Sequence, residues 1–153
     1  MATYRDSPYS AFNFRVNVVG GAHGPGDFRA GFQEIGGIGI EVHVAEYRNG
    51  NRSDNSPQKI TGTVKYADIT LKRGLCGDLG MLYDWVDPVR NGDQKQGRTV
   101  IIQVMDETRQ NVVQTATLTN AVPVKLMGPA LSGKSTDVAI EELVLSHEYL
   151  AWT

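Results

Sequence analysis

The chain has 153 residues, 41% of them hydrophobic and 21% charged, with a formal net charge of −2. That composition suits one globular domain with a sizeable core, and the charge balance excludes bulk electrostatic attraction to nucleic acid or an anionic membrane. A single cysteine, Cys76, excludes an internal disulfide, and no apolar run approaches the roughly 20 residues of a spanning helix, so no membrane insertion is expected.

The N-terminus, "MATYRDSPYSAFNF", lacks the basic-then-apolar layout of a secretory signal, so folding in a cytoplasm is expected. Several of the segments that follow alternate at period two, the signature of strands with one buried face. In "FNFRVNVV", Phe12, Phe14, Val16 and Val18 share a face, with Asn13, Arg15 and Asn17 opposite. In "IGIEVHVAEY", Ile38, Ile40, Val42 and Val44 share a face, with Glu41, His43 and Tyr47 opposite. Further strands are expected at "FRAGFQEI", "DITLKR", "TVIIQVMD", "NVVQTATL" and "VPVKLM", separated by turn-rich pieces such as "GGAHGPGD", "NGDQKQG" and "DETRQN". Many short strands with polar turns predict a mainly β sandwich or small barrel. No repeat and no domain linker is visible.

One segment breaks the alternation. "GDLGMLYDWVDPVRNG" places Leu79, Leu82 and Val86 on one helical stripe with Met81 and Trp85 beside it. Asp78 suits an N-cap, and Pro88 followed by Gly92 marks an end, which predicts one helix over about 78–90 packed on the β core. The C-terminal "TDVAIEELVLSHEYLAW" fits two elements. A helix would align Ile140, Leu143, Val144 and His147, whereas a strand needs a bulge at Glu141-Glu142, where the alternation changes parity. The β-branched and aromatic content favours the strand.

"GPALSGKST", residues 128–136, fits the phosphate-cradling pattern G-x-x-x-x-G-K-[ST] through Gly128, Gly133, Lys134 and Ser135. That loop works by joining a buried strand to a helix whose N-terminus faces the phosphates. Here too little chain follows, no βαβ alternation surrounds it, and Asp106 lies upstream of it rather than after it as a magnesium-holding acid would. The match is read as a turn between antiparallel strands with Lys134 solvated.

No other constellation assembles a catalytic site. His23, His43 and His147 are spaced neither with each other nor with Cys76 as metal ligands are, so they read as unrelated surface or interface histidines. Cys76 in "RGLCGD" reads as a small packed apolar group. Glu141 and Glu142 would face opposite ways on a strand, and Ser53, Ser56 and Ser135 lack a neighbouring base. Neither a metal nor a cofactor is expected, and no enzyme activity. The polar loop in "AEYRNGNRSDNSPQKITG" stands apart: from Asn49 to Lys59 it has no apolar anchor. A loop of that length is either a loose excursion or an arm that orders against another subunit.

Taken in order, "FNFRVNV", "AGFQEIGGIGIEVHVAEYRNG", "ITLKRG", "LYDWVDPVRNG", "VIIQVMDE", "NAVPVKLMGPAL" and "VAIEELVLSHEYL" resemble the tail tube proteins of contractile phages and of phage-derived contractile injection systems. The resemblance runs from about residue 10 to 150, and its specificity lies in the shared order and spacing. It implies a single tail-tube domain over 1–153, a small β-barrel or sandwich with one flanking helix. It further implies hexameric rings whose strands continue into one inner β-barrel, stacked into a tube inside a contractile sheath. The implied partners are further copies of the chain, the sheath protein, baseplate, spike and initiator proteins, a terminator cap, and luminal cargo, either effector protein or DNA. Residues 1–10 would be an N-terminal arm and 45–62 an extended inter-ring loop carrying Tyr47, Arg48, Asn49, Gly50 and Lys59. The helix with Tyr83 and Trp85 would pack outside the strands and meet a neighbouring subunit or the sheath. The "GGAHGPGD" insert is longer than the tight turn expected in relatives.

Overall fold

The computed structural model describes residues 6–20, 28–29, 31–77 and 80–153. Most of the "GGAHGPGD" insert, with His23, and the expected cap Asp78 and stripe residue Leu79 lie outside that set, as do the first five residues of the expected N-terminal arm. The strands are β1 (Phe14–Val19), β2 (Phe28–Arg29), β3 (Glu34–Gly36), β4 (Ile40–Tyr47), β5 (Gln58–Tyr66), β6 (Ile69–Gly74), β7 (Arg98–Met105), β8 (Val112–Met127), β9 (Ile140–Ser146) and β10 (Tyr149–Trp152). The helix α1 (Met81–Arg90) lies between β6 and β7.

Eight strands form one antiparallel sheet, ordered β2-β1-β7-β8-β9-β6-β3, with β10 also pairing β8. The pivot is β8: its first half pairs β7 and β10, and its second half pairs β9. Val16, Val18, Val100, Ile102, Ala116 and Leu118 from one half meet Ile69, Leu71, Leu143 and Leu145 from the other in a single core. The sheet path is open from β2 to β3, so the fold is a sandwich whose two halves share a strand.

The expected strands "NVVQTATL" and "VPVKLM" are therefore one strand, and the physical reason is a bulge. Val100 pairs Leu118 while Arg98 pairs Ala121, so β8 holds an extra residue at Thr119–Asn120. Asn120 sits there at φ 54°, a left-handed conformation that asparagine tolerates better than most residues. The inward parity then changes from Ala116 and Leu118 to Ala121 and Pro123. A second shift, between Pro123 and Lys125, changes the parity again, so that Leu126 rather than Lys125 packs against the core. Conversely, "FRAGFQEI" is divided between β2 and β3.

The C-terminal segment is strand, without the expected bulge at Glu141-Glu142. Pairing of β9 with β6 is regular from Ile140 to Leu145. Glu141 simply occupies the inward parity with Leu143, Leu145 and His147. Its buried carboxylate pairs with buried Arg73, directly opposite on β6.

The helix runs over Met81–Arg90 with Gly80 at its N-cap and Pro88 inside its last turn, and it ends at the expected residue. It buries Leu82 and Trp85, with Met81 and Val86 packed against the core. Asn91 and Gly92 N–H groups close the last turn onto Asp87 and Val89 carbonyls, and Gly92 follows at φ 91°.

Two tight places lend themselves to measurement. Gly37 has φ 88°, and a Cβ there would strike the Asp68 carbonyl oxygen. Gly37→Ala should therefore destabilise the fold by at least ~1 kcal/mol in urea unfolding, whereas Gly36→Ala, with open space around it, should cost less. The β7–β8 turn is organised by the Asp106 carboxylate, which accepts hydrogen bonds from Thr108 Oγ1 (2.8 Å), Asn111 Nδ2 (2.9 Å) and the backbone N–H of Gln110 (3.1 Å). These donors, the Asn111 side chain first among them, lower the Asp106 pKa from 3.8 to about 2. A depressed folded-state pKa means that the unfolded chain binds more protons between those values. The turn's contribution is thus complete above about pH 4 and lost as pH falls through about 2. Thermal melts over that range should show a steeper loss for the unaltered protein than for Asp106→Ala.

Candidate assembly surface

Strands β4 and β5 stand outside the main sheet, and among the described residues they pair only with each other. The expected loop over 45–62 is thus narrower: Tyr47 closes β4, Lys59 lies in β5, and the connection is 48–57. Its tip is not loose. Tyr47 Oη donates to Asn49 Oδ1 (2.6 Å), Arg48 Nη2 donates to the Asp54 carbonyl (3.0 Å), and Arg52 lies 3.3 Å from the Asp54 carboxylate. Gly50 is open on its Cβ side, and Lys59 stands opposite Glu46 in the ladder.

The ribbon has two unlike faces. Ile40 pairs Tyr66, Val42 pairs Val64 and Val44 pairs Thr61, which makes an apolar stripe that ends at Glu46 and Lys59. Glu41 and Lys65 oppose each other on the other face, with His43 in line. The expected alternation in β4 holds, but its apolar face is not buried: Ile40, Val42, Val44 and Val64 are 44–50% exposed. Among the described residues that stripe is left uncovered. A two-stranded ribbon with an uncovered apolar face and two unpaired edges is marginal on its own.

At the ribbon's base, Tyr66 lies against His147 with ring centroids 5.4 Å apart, and Tyr149 meets Tyr66 edge-on at 6.1 Å. His147 Nε2 donates to the Ala67 carbonyl (3.1 Å). His147 is buried rather than at the surface, because it continues the inward parity of β9. No sequence signal other than that parity marks it. Cys76 is exposed rather than packed, in the turn after β6.

The two aromatic residues singled out on α1 part company. Trp85 is fully buried, and its Nε1 donates to the Gln96 carbonyl (3.0 Å), so it packs the helix and offers no contact surface. Tyr83 is exposed, and its hydroxyl accepts from Arg90, which also pairs with Asp87. Together these make an exposed polar-aromatic face on the helix.

The phosphate-loop match fails on architecture. Residues 128–139 join antiparallel β8 and β9, no helix follows, and Lys134 is exposed. The loop folds on its own hydroxyls: Lys134 N–H reaches Ser132 Oγ and Asp137 N–H reaches Ser135 Oγ. Among the described residues no cluster of His, Cys, Asp and Glu is arranged to hold a metal, and no helix is long and apolar enough to cross a membrane.

Comparison with known families fits this picture of a β-rich chain with unfinished surfaces. Residues 10–151 match the family model of the T4-like virus tail tube protein gp19. A chain of the sheath–tube complex of an extracellular contractile injection system (PVC), in the extended state, superposes with TM-score 0.82 at 22% identity, over 97% of this chain and 93% of that one. A chain in the baseplate of the anti-feeding prophage does so with TM-score 0.84 at 24% identity, over 97% of each. Hcp1 from Flavobacterium johnsoniae is more distant, at TM-score 0.52 and 12% identity over 91% of this chain and 93% of that one. At these identities the structural likenesses establish a shared fold. No curated protein sequence matches significantly.

Proposed function

The chain belongs to the T4-like virus tail tube protein gp19 family, and from that premise we propose that it assembles as hexameric rings stacked into the hollow inner tube of a contractile tail or injection system. Its role is structural: it is a tube subunit, and no catalytic group is assigned to it. The observation that carries the assembly reading is the β4–β5 ribbon, whose apolar stripe is left open among the described residues. Such a surface is covered when copies associate, and ring closure also removes free strand edges.

In this reading the ribbon tip bridges successive rings through Tyr47, Arg48, Asn49, Gly50 and Lys59. The internal bonds of the tip support it, because a pre-ordered arm loses less entropy on docking. The exposed Tyr83–Arg90 face of α1 meets a neighbouring subunit or the sheath. The fold relatives come from complexes described as sheath–tube, baseplate and tube-terminating cap. By analogy, this tube contacts a sheath protein, a baseplate with its spike and initiator proteins, and a terminator cap. It is built in the cytoplasm, is driven through a target envelope by sheath contraction, and conducts effector protein or DNA.

The test is negative-stain electron microscopy of the purified protein over a range of concentrations. Rings or stacked tubes with a central hole are expected. A species that stays monomeric at every concentration, with or without a baseplate to nucleate it, would overturn the reading.

A further inference from the structure

Two Asn-Gly pairs stand in exposed turns, and the fold treats them differently. Asn49-Gly50 lies in the connection between β4 and β5, and Asn91-Gly92 follows the end of α1. In such a pair the main-chain nitrogen of the glycine can attack the side-chain amide carbon of the asparagine, because glycine has no Cβ to block the approach or restrict the backbone. Whether it does so depends on what else holds that nitrogen.

At the helix end the nitrogen is occupied. Gly92 N–H donates to the Val89 carbonyl (3.1 Å) and Asn91 N–H to the Asp87 carbonyl (3.1 Å), so taking the proton from Gly92 would break a bond that closes α1. At the ribbon tip it is not. Among the described residues Gly50 N–H has no hydrogen-bond partner, and beyond its chain neighbours no heavy atom lies within 4 Å of the place a Cβ would take. The Arg52 N–H donates to the Asn49 carbonyl (3.2 Å), which makes a turn with Gly50 in its second position. Tyr47 Oη donates to Asn49 Oδ1 (2.6 Å), a contact that draws electron density from the amide carbon. The other asparagines of this loop are less well placed: Asn51 precedes Arg52, whose N–H is engaged, and Asn55 precedes Ser56, which carries a Cβ.

We propose that Asn49 is a site of spontaneous covalent modification in the free chain, deamidating through a cyclic imide, while the helix end holds Asn91 unreactive. Gly50 nitrogen gives up its proton to solvent and attacks Asn49 Cγ. The new C–N bond closes a five-membered succinimide, and the side-chain nitrogen leaves as ammonia. Water then opens either carbonyl of the ring, giving aspartate or, where the main chain now runs through Cβ, isoaspartate. The balance is one water consumed and one ammonia released. Each conversion sets a carboxylate at the ribbon tip and takes the formal net charge from −2 to −3, one unit more negative. This inference does not rest on the tube-subunit reading.

The experiment incubates the purified full chain at mildly alkaline pH, below the concentration at which particles form. Peptides are then mapped by mass spectrometry for the gain of about 1 Da, with aspartate and isoaspartate separated by chromatography. Asn49 should convert at least ~10-fold faster than Asn91, because the latter must first open the helix end. In concentrated urea, where the tip and the helix end are both lost, the two pairs should convert within about twofold of each other. Gly50→Ala enters open space, so circular dichroism should be unchanged while conversion at Asn49 falls at least ~10-fold. Equal conversion of the two pairs in the folded chain, conversion led by Asn91, or a G50A chain that converts as fast as the unaltered one would overturn the proposal. The tube reading fails separately, by the absence of rings in electron micrographs.

Discussion

Glu141→Ala should cost about 3–5 kcal/mol, the penalty for removing one partner of a buried ion pair. The Arg73 and Glu141 side chains are only 4% and 9% exposed, and they face each other directly across the β6–β9 ladder. Their neighbours along the same parities are Ile69, Leu71, Leu143 and Leu145, all in the core. A guanidinium cannot shed its proton to escape this surrounding, so the truncated variant keeps a buried cation without the carboxylate that faces it across the ladder. Chemical denaturation should give the loss directly, and a melt should fall by roughly 6–20 °C for a chain of this size. Glu142→Ala, one residue along and facing outward, should stay within ~0.5 kcal/mol. The double change Arg73→Met with Glu141→Leu should recover most of the loss, since apolar residues of similar volume replace such pairs at little cost. Equal losses for Glu141→Ala and Glu142→Ala would show that the pair contributes nothing.

Trp85→Ala should be as severe, again about 3–5 kcal/mol, for a different reason. The indole is the largest fully buried side chain, and it fixes α1 to the sandwich. Its removal opens a cavity, orphans the Gln96 carbonyl that its Nε1–H satisfies, and takes away the ring face over which Arg98 lies at 4.9 Å. Burial already lowers the Arg98 pKa, so the loss of that ring leaves a partly desolvated cation with less compensation. Trp85→Phe keeps most of the apolar volume and should lose only about 1–2 kcal/mol. Tyr83→Ala, on the exposed side of the same helix, should leave stability nearly unchanged. The assembly concentration is the proper readout there.

Several features were legible before any fold was known. The helix was visible because Leu82, Val86, Met81 and Trp85 recur at helical spacing and Gly92 follows as a stop. Its end at Arg90 is the expected one, with Pro88 in the last turn, and it starts at Met81 after Gly80, the expected cap Asp78 lying outside the described residues. Strands β1, β4, β6, β7 and β9 were legible from alternation. The single long β8 was not, because two bulges change its inward parity and make one strand read as two. Glu141 misled in the opposite way: an acidic residue on an inward position resembles a break in the pattern until Arg73 is seen across the ladder.

The fold class, the helix between β6 and β7, the family and the failure of the phosphate-loop motif could be read from residue order alone, because these rest on local periodicity and on what can follow a given segment of chain. Which alternating strands find a partner for their apolar face became visible once the strands were packed together. Period-two patterning states that a face must be covered, but not by what. In β1 and β9 the cover is the same chain's core, whereas the apolar stripe of β4–β5 has no cover among the described residues. That difference depends on long-range packing, which residue periodicity does not encode.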